Sequence, residues 1–116
     1  MDWRVIFYRD KLGNEPVKDF ILEQSDEAIG AILHVFDLLY RFDLSLSKPY
    51  VEKIEGKIWS LRIKHSSDYY RILYFAFSGK KFILLHAVKK KSDKLSNRDI
   101  DIAFKRMNDH KAMPLG

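Results

Sequence analysis

Between Lys57 and Lys90 the chain holds three strand-length runs in close succession: KIWSLRIKH, YYRILYFAF and KFILLHAVK. Only the turn segments around Ser66-Ser67 and Ser78-Gly79-Lys80 separate them. Connections this short cannot carry a parallel crossover, so the three runs are expected to form an antiparallel meander. The first run alternates with period two, with Trp59, Leu61 and Ile63 on one face and Ser60, Arg62 and Lys64 on the other. A sheet built this way must be covered, and the rest of the chain has to supply the cover.

The flanking segments do so. Trp3 to Tyr8 (WRVIFY) reads as a further strand, and Gly13 and Asn14 close the polar break after it. EPVKDFILEQ fits a short helix, with Pro16 in its first turn and Val17, Phe20 and Ile21 on one stripe. Ser25 is an N-cap for a longer helix with Asp26 and Glu27 in its first turn. Its stripe is read as Ile29, Ile32, Phe36 and Leu39, opposite Gly30, His34, Asp37 and Arg41. Ser96 and Asp99 have capping-box spacing ahead of a last helix with Ile100, Ala103, Phe104 and Met107 on its apolar side. The order is β-α-α-β-β-β-α, with room for an extra short strand near Val51 to Ile54. That order belongs to the α+β class. The 116 residues, 47% of them hydrophobic, suit one core rather than two. A single domain over 1–110 is expected, with a frayed tail over 111–116.

The absence of cysteine excludes disulfides, thiolate nucleophiles and iron–sulfur clusters. His34, His65, His86 and His110 lack metal-ligand spacing and have no carboxylate cluster beside them in the sequence. No phosphate-binding glycine loop is present, and Ser66 and Ser67 have no oriented His–Asp pair in view. No metal and no cofactor are therefore expected. MDWRVIFYRD lacks the apolar core of a signal peptide, and no apolar run approaches a membrane span. The expectation is a soluble cytoplasmic protein without membrane contact.

What remains is cationic. The formal net charge is +5 and the pI near 9.4, which favours an anionic partner without choosing among nucleic acid, lipid and acidic protein. Arg62 and Lys64 lie on one strand, Arg71 on the next, and His86, Lys89, Lys90 and Lys91 at the end of the third, with Lys94 just beyond. In the meander Arg62 and Arg71 can be cross-strand neighbours, an unfavourable pairing unless an anion lies between them. Arg71 sits among residues suited to burial, so it needs either a water-filled concavity or a salt-bridge partner, such as Asp68 or a helix acid. His86 reads more readily as a core residue than as an acid–base group, and the lysines as a solvated strand end before an aimed one. Such a set is compatible with RNA cleavage by the substrate's own 2′-hydroxyl. Arginine and lysine would neutralise developing charge, and histidine, lysine or tyrosine would move protons.

Four stretches, KIWSLRIK, YYRILYF, GKKFILLHAVKKKSDK and RDIDIAFKRM, resemble the phage-derived HigB-like branch of the RelE/ParE toxin superfamily. The matching elements are Leu61-Arg62, Arg71 to Tyr74, Leu84-Leu85-His86, Lys90-Lys91-Ser92 and Ala103. Two positions depart from the pattern: Ser60 stands where Glu is common, and Val88 where an aromatic is common. The resemblance implies a four- to five-stranded antiparallel, partly mixed sheet, packed by an N-terminal helical hairpin and a C-terminal helix. It also implies the toxin of a type II toxin–antitoxin pair, cleaving translated mRNA on the ribosome. Its cognate antitoxin would be a helix-turn-helix, HigA-like protein, and the toxin alone a monomer or weak dimer. Arg62, Arg71 and Lys90 would then contact the scissile phosphate, with His86 a further catalytic candidate. Lys64, Lys89, Lys91 and Lys94 would be RNA-binding. A ParE-like gyrase inhibitor and a degenerate module that binds nucleic acid or antitoxin are the alternatives.

Overall fold

The three runs form consecutive antiparallel strands in the computed structural model, which describes residues 2–114. In chain order the elements are β1 (Arg4–Phe7), α1 (Pro16–Leu22), α2 (Asp26–Phe42), a 3-10 turn (Asp43–Ser45), β2 (Val51–Glu55), β3 (Ile58–His65), β4 (Asp68–Phe77), β5 (Lys81–Lys90) and α3 (Asn97–Ala112). The five strands form one sheet in the order β1-β5-β4-β3-β2. Only β1, parallel to β5, breaks the antiparallel pattern. The extra strand near Val51 is β2, and with β1 it forms the two edges.

Because β1 and β2 lie at opposite edges, the α1–α2 hairpin must carry the chain across one face of the sheet. Val17 and Ile21 of α1 and Ala28, Ile32, Val35 and Leu39 of α2 pack there on Leu61, Ile63, Ile72, Phe82 and Leu84. The buried seam of α2 keeps Ile32 and Leu39 of the expected stripe but takes Ala28 and Val35 in place of Ile29 and Phe36, which are only partly buried. Ala28 and Val35 are the smaller residues, and placing them at the contact lets the helix approach the sheet closely. On the other face Ala103 and Met107 of α3 pack on Ile58, Leu73, Phe75, Ile83 and Leu85. The Ser96–Asp99 capping box is present. Helix α3 continues to Ala112, so the expected tail is helical over its first residues. Leu115 and Gly116 lie outside the described residues.

One irregularity decides the site. The β4–β5 register runs from Phe77–Lys81 to Tyr74–Leu84 and resumes at Leu73–His86, leaving Leu85 as the extra residue. Leu84 faces α1 and α2, Leu85 faces α3, and the bulge turns His86 to the α3 side as well. Every later residue of β5 keeps that shifted phase. Lys90 therefore shares a face with Arg62 and Arg71, which strict alternation would have denied it. Among the described residues no helix is long and apolar enough to cross a membrane.

Candidate functional site: a cation cluster held by two aspartates

Arg62 and Arg71 stand directly opposite each other on β3 and β4, as the meander requires. The anion between them belongs to the protein. Asp93, on the connection from β5 to α3, accepts from the Arg62 guanidinium through Oδ2. Its Oδ1 takes Arg71 Nη1 at 3.0 Å, and its main-chain carbonyl takes the same nitrogen at 2.8 Å. Arg71 Nε donates to Ser60 Oγ at 2.9 Å, and Nη2 donates to Glu52. With its side chain 2% exposed, Arg71 has exchanged water for protein acceptors almost completely. The expected partners, Asp68 or a helix acid, are not the ones used: Asp68 takes Lys91 at 2.7 Å. Ser60, where Glu is common in the resembling branch, is the buried hydroxyl that seats Arg71.

A second aspartate gathers the other two candidates. Asp99, in the first turn of α3, is 2.9 Å from His86 Nε2 through Oδ1 and 3.0 Å from Lys90 Nζ through Oδ2. His86 thus has one carboxylate neighbour in space, which its sequence surroundings did not reveal. Burial alone would raise the Asp99 pKa. Hydrogen bonds from His86, Lys90 and Ser96 more than reverse this and hold it well below the usual carboxylate range. Burial pushes the His86 pKa down, against the pull of Asp99. The two directions agree if His86 is neutral, donating Nε2–H to Asp99, while Lys90 supplies the charge. Nδ1 is then an acceptor facing Arg106 Nη1 at 3.4 Å, so the network assigns the tautomer.

The Arg62 end is open. Its side chain is 30% exposed, and a cleft of about 400 Å³ beside it is lined by Lys64, Tyr50, Tyr69, His34 and Asp93 among others. The hydrogen bond that Arg62 donates to Asp93 raises the Arg62 pKa further, against burial. For Asp93, burial raises the pKa but the two arginines outweigh it and lower it. Lys64 lies over the Tyr69 ring, 5.5 Å from its centroid.

Of the remaining predicted cations, Lys91 and Lys94 are exposed on the connection that carries Asp93. Lys89 pairs in register with Tyr70 and so faces the α1–α2 side, away from the cluster. Sequence reasoning missed Asp93, Glu52 and Arg106. Asp99 was noticed only as a cap. A larger cavity, about 630 Å³, lies between the β1–α1 connection and α3 beside Tyr8, Arg106 and Asp109, and none of the predicted cations lines it. Among the described residues no group of three or more His, Cys, Asp or Glu side chains could hold a metal ion.

A mixed five-stranded sheet between a helical hairpin and one capped helix, with Arg62 at a cleft and Arg71 buried behind it, defines a small α+β fold with a cation cluster at one end of the sheet. Residues 19–108 match the family described as "Phage derived protein Gp49-like", and the chain belongs to that family, which is related to toxin–antitoxin systems. A search of curated proteins finds no match.

Proposed function

We propose that this protein is the toxin of a type II toxin–antitoxin pair, a ribosome-dependent endoribonuclease acting in the cytoplasm on translated mRNA. The observation that carries the reading is Arg62, set opposite the buried Arg71 and lining a cleft of about 400 Å³ that also holds Lys64 and two tyrosines. Two guanidinium groups at that spacing suit a phosphodiester, and tyrosine rings can stack on unpaired bases. In this reading Arg62 meets the scissile phosphate and, with Arg71 behind it, offsets the charge that builds as the substrate's 2′-hydroxyl attacks. Lys90 adds positive charge from β5. His86 serves as a positioning residue: it orients Asp99, and Asp99 holds Lys90. Lys64, Lys91 and Lys94 meet neighbouring phosphates, while Lys89 has no place in the site. A helix-turn-helix antitoxin is the expected partner, and mRNA on the ribosome the expected substrate.

One observation favours a different reading. Arg62, Arg71, Lys90 and His86 each already have an acidic neighbour, as expected of a module that binds a partner and cuts nothing. Induced expression with transcript 5′-end mapping separates the two. Arg62→Ala is the informative variant, because Arg71 is too deeply buried to remove without disturbing the fold. Growth arrest with codon-phased cuts, both lost in Arg62→Ala, is the expected result. Arrest with intact transcripts would rule out the nuclease and leave a gyrase-type inhibitor. Harmless expression of the wild type would rule out a toxin.

A further inference from the structure

We infer that the Asp93 carboxylate is a built-in anion occupying the phosphate position between Arg62 and Arg71, which an incoming RNA phosphate must displace. The inference rests on the reading of this arginine pair as the RNA-phosphate site. Carboxylate and phosphate offer a guanidinium the same two-oxygen edge, so either can fill the gap between the cross-strand arginines.

Three features allow the exchange. Asp93 is 31% exposed and sits on the connection between β5 and α3, so its side chain can turn into solvent without moving a strand. Arg71 does not depend on that carboxylate alone: the Asp93 carbonyl at 2.8 Å, Ser60 at 2.9 Å and Glu52 all stay in place. Arg62, in contrast, is incompletely used. Asp93 engages only its Nη2, and its Nε is buried with no hydrogen-bond partner. A buried orphan donor beside a cleft is a place for a ligand atom. A phosphate approaching side-on can take Nε and Nη2 together, which the tethered carboxylate does not.

The consequence is selective. A short free RNA competes with an anion held at high effective concentration by the chain itself. An RNA presented by a larger scaffold brings its phosphate with the binding energy of that scaffold behind it. Asp93 thereby makes the site weak toward loose RNA and competent toward presented RNA.

Binding of a fluorescent, fully 2′-O-methylated pentanucleotide, which cannot be cut through a 2′-hydroxyl, tests this at low salt by anisotropy. Asparagine at 93 keeps the size and an acceptor oxygen but removes the charge. Asp93→Asn is expected to bind about tenfold more tightly than wild type, the scale of one charge-assisted hydrogen bond. Asp37→Asn removes an equal charge from the exposed Arg41–Asp37 pair and is expected to change binding by less than about twofold. The gain should vanish in Arg62→Ala/Asp93→Asn. A gain no larger than that of Asp37→Asn, or one that survives without Arg62, overturns the inference. A measurement on wild-type protein guards against a variant that fails to fold. The Arg62 Nε–H resonance should shift as the oligonucleotide saturates, and an unmoved resonance at saturation is equally fatal. The nuclease reading fails on a different result, intact transcripts, so the two failures are distinguishable.

Discussion

Arg71 shows how a charge survives in the middle of a hydrophobic strand. Desolvating a guanidinium is expensive, and here Ser60, Glu52 and both the side chain and the main chain of Asp93 offset the cost. Arg71→Met is close in volume but removes the charged donor from Ser60, Glu52 and Asp93, of which Glu52 and Asp93 can turn to water. The expected loss is about 2–3 kcal/mol in urea denaturation, the scale of hydrogen bonds from a charged donor. Arg62→Ala, at a side chain 30% exposed, should cost only about 1 kcal/mol. Similar losses in the two variants would show that Arg71 does not anchor the fold. The cross-strand pairing of Arg71 with Arg62 was legible in the sequence, because a charge in an apolar run and a short turn are both local signals. It pointed to the wrong acid. Asp68 is three residues from Arg71 along β4, an odd spacing that puts it on the opposite face, so strand parity already argued against it. Asp93 is 22 residues away in sequence and reaches Arg71 only through the fold.

At the level of elements, strands and helices were legible because their periods and caps are local. The bulge at Leu85 was not. Leu84-Leu85-His86-Ala87 contains no glycine or proline to mark it, and it shows only in the register, where Leu85 and His86 both turn to the α3 side. Without it, neither His86 nor Lys90 would meet Asp99. Helix α3 is therefore fastened to β5 through its own N-terminal turn, where Asp99 accepts both from its cap and from the strand. Ser96→Ala removes the cap hydroxyl, which also donates to Asp99 at 2.8 Å. It should cost about 1 kcal/mol, the usual worth of an N-cap. Hydrogen exchange should report the loss in the first turn of α3 and at His86–Lys90 together. Faster exchange in the helix alone would mean that the aspartate does not couple the two elements.

For the whole molecule, the acid-held cluster sets the response to pH. Asp93 and Asp99 have folded pKa values below the ordinary carboxylate value, and so do Asp10 and Asp68 at the surface. Their contribution is present above the unfolded value, about 3.9 for Asp. It is lost as pH falls toward the folded values, because the unfolded chain then binds protons that the native state resists. Burial lowers the pKa of His86 and His110, which act in the same direction at higher pH. Stability should begin to fall below about 6.5, where the unfolded histidines start to charge. The urea midpoint is thus expected to decline gently between about pH 6.5 and 5 and steeply below about pH 4. Asp99→Asn should start less stable at pH 7 and decline less steeply below pH 4, since it no longer carries a depressed carboxylate. Added salt separates the contributions. It should weaken the exposed Lys91–Asp68 pair, whose lysine side chain is 79% exposed, far more than the sheltered Asp99 contacts. The steep acid limb should therefore persist at high ionic strength. If it disappears, acid stability comes from surface charge, and the two aspartates do not hold the cluster together.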